Sequence, residues 1–175
     1  MKFLSRKLQR LSFIFIKCII WVISLLNHRM YMYFYIRLLR FYGMKCSKLV
    51  KYIGYSVVFD DISLIELSSD VVISDHSHFL THDYSLSVSL RIKGVKKEGQ
   101  WKRPISIGEN TFIGKKTIIL PGSKIGNNVI IGAGSVVRGS LESNYVYSGN
   151  PIQKLMSIDD YSNRVEKYKN QILWD

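Results

Sequence analysis

The chain has 175 residues, 25 Lys and Arg against 13 Asp and Glu, and two cysteines. That length suits one domain with an appendage. The two thiols, Cys18 and Cys46, lack metal-like spacing, which excludes a disulfide framework and suits a reducing compartment.

The net charge of +12 is unevenly spread. Residues 1–52 hold eleven Lys and Arg and no acid, and the first acid is Asp60. Residues 53–175 hold fourteen bases and thirteen acids, a nearly neutral body. A basic, aromatic segment can bind nucleic acid, but no such module is legible in residues 1–52 and no nucleic-acid partner is expected.

Leu11 to Leu26 is almost wholly apolar, interrupted by Ser12, Lys17 and Ser24. Met30–Tyr42 then interleaves Tyr31, Tyr33, Phe34, Tyr35, Phe41 and Tyr42 with Arg37 and Arg40. A cleaved signal peptide is disfavoured, because Lys17 breaks the apolar run and Leu25-Leu26-Asn27-His28 offers no small-residue cleavage site. A spanning helix needs about 20 apolar residues. Here the whole run is about sixteen residues long, with Lys17 inside it at a cost of a few kcal/mol. The preferred reading is a pair of basic amphipathic helices on a membrane surface, contacting it through residues 1–43. Lys and Arg would meet anionic headgroups while Phe, Trp21 and Tyr enter the boundary. The alternative is that the same helices pack on the following domain or on sister subunits.

From Ile53 the pattern turns to short β-rich pieces, with a degenerate sixfold phase at Leu67, Ile73 and Phe79. Three histidines cluster here: His76, His78 and His82. They read as surface or structural residues, or as a His-x-His-x3-His metal site, and stoichiometric zinc would distinguish the two. We expect no metal. A stretch rich in Ser, Lys and Gly follows, about 84–103, and a loop this long is usually functional or disordered.

The repeat then becomes regular. Aliphatic residues stand at Ile107, Ile113, Ile119, Ile125, Ile131 and Val137, one every six residues. Gly follows at 108, 114, 126 and 132, and a small or branched residue occupies Thr111, Thr117, Ser123, Val129 and Ser135. A period of six is neither helical nor simple strand alternation. It marks a parallel β-helix, in which each unit is a short strand plus a corner. Three units close one triangular coil, so Ile107 lies under Ile125, Ile113 under Ile131 and Ile119 under Val137. Gly at the corners avoids a Cβ clash. Where Gly is missing, at Leu120, Pro121 and Gly122 make the turn. Beyond the repeats, Asp159–Leu173 reads as a C-terminal helix, with Ser157 as N-cap and Asp159 and Asp160 in its first turn. The organisation is 1–52 helical, 53–155 β-helix and 156–175 C-terminal helix.

The run Ile107–Val137, followed by Ser148-Gly149-Asn150-Pro151, resembles the hexapeptide-repeat acyltransferases. The likeness is to the branch of maltose, galactoside and nodulation acetyltransferases and the O-acetyltransferases of capsule and lipopolysaccharide synthesis, over about Leu64 to Leu155. It implies a mainly β fold, a left-handed parallel β-helix, assembled as a homotrimer. It also implies transfer of acetyl from acetyl-CoA to a sugar hydroxyl in surface polysaccharide or lipopolysaccharide biosynthesis, without a covalent intermediate. With the basic N-terminus, that suggests a cytoplasmic protein peripheral to the inner face of the plasma membrane, acting on a glycan or lipid-linked sugar. A soluble acceptor (a nucleotide-sugar, serine or an antibiotic) is the alternative, and a non-catalytic scaffold a further one. A γ-type carbonic anhydrase is disfavoured, since no histidine follows position 82.

Residue by residue, the resemblance places the catalytic histidine at His82, in Thr81-His82-Asp83-Tyr84 just before the excursion. A sugar hydroxyl is a poor nucleophile until its proton is accepted, and an imidazole does this near neutral pH. Asp83 is its nearest carboxylate in sequence, but neighbours on a strand point to opposite faces. Asp83, Tyr84 and Trp101 are the expected acceptor contacts. The resemblance assigns Phe112, Lys115 and Ala133 to acetyl-CoA binding, the small residue at 133 leaving its N–H open to a pantetheine carbonyl. Arg138 and Lys154 are expected to substitute for the family's usual lysine at the nucleotide phosphate. Arg138 stands one place early, and the family's following Pro is absent.

Overall fold

A computed structural model describes residues 6–169. Three parallel sheets wind around one apolar column. The first contains Lys45–Cys46, Ile65–Leu67, Ile105–Ile107, Lys124–Ile125 and Ser140–Leu141. The second contains Tyr52–Ile53, Val72–Ile73, Phe112–Ile113, Ile130–Ile131 and Tyr145–Ser148. The third contains Val58–Phe59, His78–Phe79, Ile118–Ile119 and Val136–Val137. Most of the two-residue strands turn one side chain into the column, and Ile65–Leu67 and Ile105–Ile107 turn two. Ile107 pairs with Ile125, Ile113 with Ile131 and Ile119 with Val137, the register read from the sixfold repeat. Leu67, Ile73 and Phe79 continue the three columns below Ile107, Ile113 and Ile119.

The coil begins earlier than the expected boundary at 53. Its first strand is Lys45–Cys46, where Cys46 lies under Leu67. The spacing from Cys46 through Ile53 and Phe59 to Leu67 runs seven, six and eight residues, so no fixed period exposes this coil.

The glycines act through close approach between coils. A Cβ on Gly114 would lie 2.5 Å from the backbone N of Ala133 and 2.7 Å from the carbonyl oxygen of Ile131, both in the next coil. Gly108, Gly114, Gly126 and Gly132 do not take the left-handed corner conformation, which falls on other residues. Asp70, Asn110, Asn128 and Asn144 hold φ between 51° and 69° along one edge. Short polar side chains tolerate this region because they bond locally. Here Asn110 Nδ2 donates to Asn128 Oδ1 at 2.9 Å, and Asn128 Nδ2 to Asn144 Oδ1 at 2.8 Å. The buried hydroxyls at the corners are also satisfied: Thr117, Ser123 and Ser135 donate to the carbonyls of Gly114, Leu120 and Gly132 at 2.6–2.7 Å.

Two helices cover the N-terminal end. Helix α1 (Arg6–Leu26) and helix α2 (His28–Phe41) form a tight hairpin through Asn27, whose side chain accepts from the N–H of Met30. The buried face of α2 is Tyr31, Met32, Tyr35, Ile36, Leu38 and Leu39. It seats on the first coil, where Tyr31 Oη donates to the carbonyl of Ile53 at 3.1 Å. One face of α1 packs inward through Phe13, Ile16 and Ile20. Lys17 turns with it, donating to the carbonyl of Val57 at 3.2 Å and lying over the rings of Tyr35 and Tyr55. Burial pushes the Lys17 ammonium below its ordinary range.

At the other end, Gln153–Ser157 runs antiparallel to Tyr145–Ser148 and closes the last coil. Helix α4 (Ile158–Glu166) follows, and Ser157 Oγ accepts from the N–H of Asp160 at 3.0 Å. The expected helix reached Leu173; the observed one stops at Glu166, and residues beyond 169 lie outside the described part. Ser157→Ala should lower stability by about 1 kcal/mol in urea titration, through loss of this cap.

Candidate functional site

The chain leaves the coil after the third sheet and returns at the first. His82–Asp83 and Trp101–Lys102 pair antiparallel, His82 opposite Lys102 and Asp83 opposite Trp101. The excursion between them is no bare loop: it carries helix α3 (Ser85–Ile92). Ser87 Oγ ties its far side, donating to the carbonyl of Gly99 at 2.6 Å and accepting from the Gly99 N–H at 2.9 Å.

His82 stands at the mouth of this excursion, its side chain 26% exposed. Its Nδ1 lies 3.4 Å from Thr81 Oγ1 and 3.6 Å from Asp60 Oδ2. The second distance is a charge contact rather than a hydrogen bond. Thr81 is fully buried; its N–H donates to Asp60 Oδ2 at 3.4 Å, and its hydroxyl accepts from the Asp61 N–H at 3.1 Å. A carboxylate facing Nδ1 favours the tautomer that carries its proton there, leaving the lone pair on Nε2. Asp60 therefore takes the place that sequence proximity offered to Asp83. Asp83 is committed elsewhere: its Oδ1 accepts from the Ser85 N–H at 2.8 Å, and that bond holds its carboxyl below the usual range.

The three residues read as acceptor contacts share this mouth. The Tyr84 ring meets the His82 ring edge-on at 5.8 Å. Trp101 is half exposed, with the Arg103 guanidinium over its face at 4.6 Å. Lys102 pairs with Asp61 at 3.4 Å.

The five residues read as cofactor contacts do not all converge within one chain. Lys115 and Ala133 do. With His76, Lys116 and Gly134 they line an open cleft of about 590 Å³ at the edge between the second and third sheets. Gly134 donates its N–H to the Lys115 carbonyl at 2.8 Å, while the Ala133 N–H has no acceptor among the described residues. A free N–H beside a basic side chain suits the amide-rich arm and phosphates of coenzyme A. Phe112 lies on the outer face of the second sheet, 42% exposed. Arg138 lies on the edge of His82, near enough to Asp83 to lower its titration. Lys154 pairs with Glu142 at 2.6 Å and covers the Tyr145 ring at 3.8 Å. His76, His78 and His82 fall on a corner, on the outer face of the third sheet and on the excursion mouth. Among the described residues no group of three His, Cys, Asp or Glu could hold a metal ion.

Three stacked sheets of short parallel strands with a sixfold period define a hexapeptide-repeat β-helix. A family described as "Bacterial transferase hexapeptide (six repeats)" matches residues 104–139. Galactoside O-acetyltransferase of Escherichia coli is 34% identical over 107 residues, 61% of this chain and 46% of that protein. The enzyme of the same name from Lactococcus lactis is 30% identical over 62% of this chain and 51% of its own. The chain thus spans about half the length of these relatives. Among solved structures, a maltose O-acetyltransferase from Clostridium difficile superposes with a TM-score of 0.56 at 25% identity, covering 69% of this chain and 73% of that one. A galactoside acetyltransferase in complex with coenzyme A shares the fold, with a TM-score of 0.54 at 23% identity over 73% of this chain and 71% of that one.

Proposed function

We propose that the chain is an acetyl-CoA-dependent O-acetyltransferase of the maltose and galactoside type. It acts on a sugar hydroxyl in surface polysaccharide or lipopolysaccharide synthesis, and its coil is left-handed. The observation that carries this reading is His82 at the excursion mouth, its Nδ1 turned to Asp60 and Thr81 and its Nε2 left to accept a proton. The names of the relatives supply the donor and the acceptor class.

The hydroxyl oxygen attacks the thioester carbonyl carbon while Nε2 takes the hydroxyl proton. The tetrahedral oxyanion rests on backbone N–H donors at a coil corner. It collapses by breaking the C–S bond, and the imidazolium returns the proton to the departing thiolate. The acetyl ester and free coenzyme A leave, and no enzyme-bound acyl group forms.

His82 and the Lys115–Ala133 cleft occupy different edges of one triangular coil. We therefore place the complete site between copies in a three-fold assembly, where one copy supplies His82 and its neighbour the cleft. Phe112, Arg138 and Lys154 are its further candidate contacts. The test is thiol release from acetyl-CoA with a panel of mono- and oligosaccharides, followed by mass spectrometry of the acceptor. Release with no sugar in the panel and none with the native surface glycan would overturn the proposal.

Asp60 acts here as a positioning residue. Asp60→Asn should lower kcat roughly tenfold with little change in KM for acetyl-CoA, and Asp60→Glu should recover part of the loss. A purely structural role would instead lower the melting temperature without this split between kcat and KM.

A further inference from the structure

Helix α1 has two apolar faces, and the fold uses one. Phe13, Ile16 and Ile20 pack inward, and Lys17 goes with them. On the other face Leu11, Phe15, Ile19, Val22, Leu25 and Leu26 are each at least 53% exposed. At 100° per residue these six fall within an arc of roughly 120°. No charge interrupts them, because the one cation of the run points the opposite way, into the protein. Helix α2 adds exposed Met30, Tyr33 and Phe41 beside Arg29 and Arg37, and Arg37 Nη1 donates to Tyr33 Oη at 3.1 Å. A continuous apolar face of this extent on a soluble protein marks a contact surface.

The charge selects the occupant. Residues 1–52 carry eleven cations and no acid. A second copy seated on this face would bring like charges together. A bilayer with anionic lipids offers an apolar layer bordered by negative headgroups. No helix of the described residues is long and apolar enough to cross a membrane. We infer that the outer face of α1 lies in the surface of a bilayer containing anionic phospholipid, with the β-helix held on its inner face. This docking surface stands apart from the acetyl-transfer reading.

The test is co-sedimentation of the full chain with phosphatidylcholine vesicles, with and without phosphatidylglycerol. The chain should pellet with the mixed vesicles and release as salt rises. Phe15→Glu/Val22→Glu/Leu26→Glu should bind at least about tenfold more weakly. Arg29→Gln/Arg37→Gln, which leaves the apolar face whole, should lose roughly fivefold per cation removed. Both variants should melt as wild type, the replaced side chains being exposed, and His82→Ala should bind as wild type. The inference is overturned if the chain stays in the supernatant, if both vesicle types bind it equally, or if the Arg variant binds undiminished. It is also overturned if the triple variant lowers the particle mass in light scattering, since that assigns the face to a second copy.

Discussion

His82→Ala should cut acetyl-CoA consumption in the presence of acceptor by about 10²- to 10⁴-fold, the range of a general base. The loss should appear in kcat, with KM for acetyl-CoA nearly unchanged, because the Lys115–Ala133 cleft lies on another edge of the coil. Stability should change little. The ring is a quarter exposed, its contacts to Thr81 and Asp60 are long, and the buried Thr81 keeps its own bonds to Asp60 and Asp61. Thiol-release kinetics and a thermal melt on the same preparation separate the two effects. A variant that melts normally and still turns over at the wild-type rate removes His82 from the chemistry.

Gly114→Val should cost the most stability. The first added carbon already meets backbone atoms of the next coil at 2.5 and 2.7 Å, and neither can move without opening the ladder. It would also strain the bond from the Gly114 N–H to the Ile131 carbonyl, now 2.8 Å. Overpacking of this kind costs about 3 kcal/mol. For a chain of this size the melting temperature should then fall by roughly 6–12 °C. Gly134→Ala is the matched control. Its Cβ meets nothing within 4 Å, so only the left-handed backbone at φ +70° resists it. That costs about 1 kcal/mol. Equal losses at the two positions would show that close approach between coils is not what the sixfold glycines serve.

The repeat was legible because a parallel coil repeats its demands at a fixed interval. From Ile107 to Val137 every sixth residue faces the same column, so the sequence carries the register as a period. The first coil was hidden for the converse reason. Its corners differ in length, and Cys46, Ile53, Phe59 and Leu67 keep no common spacing. Asp60 was lost with it. The residue lies 22 positions before His82, and the pairing of Val58–Phe59 with His78–Phe79 brings the two segments together. A signal for the corners exists in the recurrence of Asp70, Asn110, Asn128 and Asn144 along one edge. The N-terminal helices left two readings open because an amphipathic period counts apolar faces without saying what covers each. The inward turn of Lys17 decides which face the fold keeps.

The excursion departs and returns through a single two-residue ladder, His82–Asp83 against Trp101–Lys102. Everything between those rungs is a cassette hung outside the winding. Lengthening or trimming it alters mainly a closure entropy, about 0.6 kcal/mol for each doubling. Under the proposed function, acceptor choice would be free to diversify by exchange of residues 84–100 while the prism, its asparagine edge and the imidazole at its threshold stay as they are.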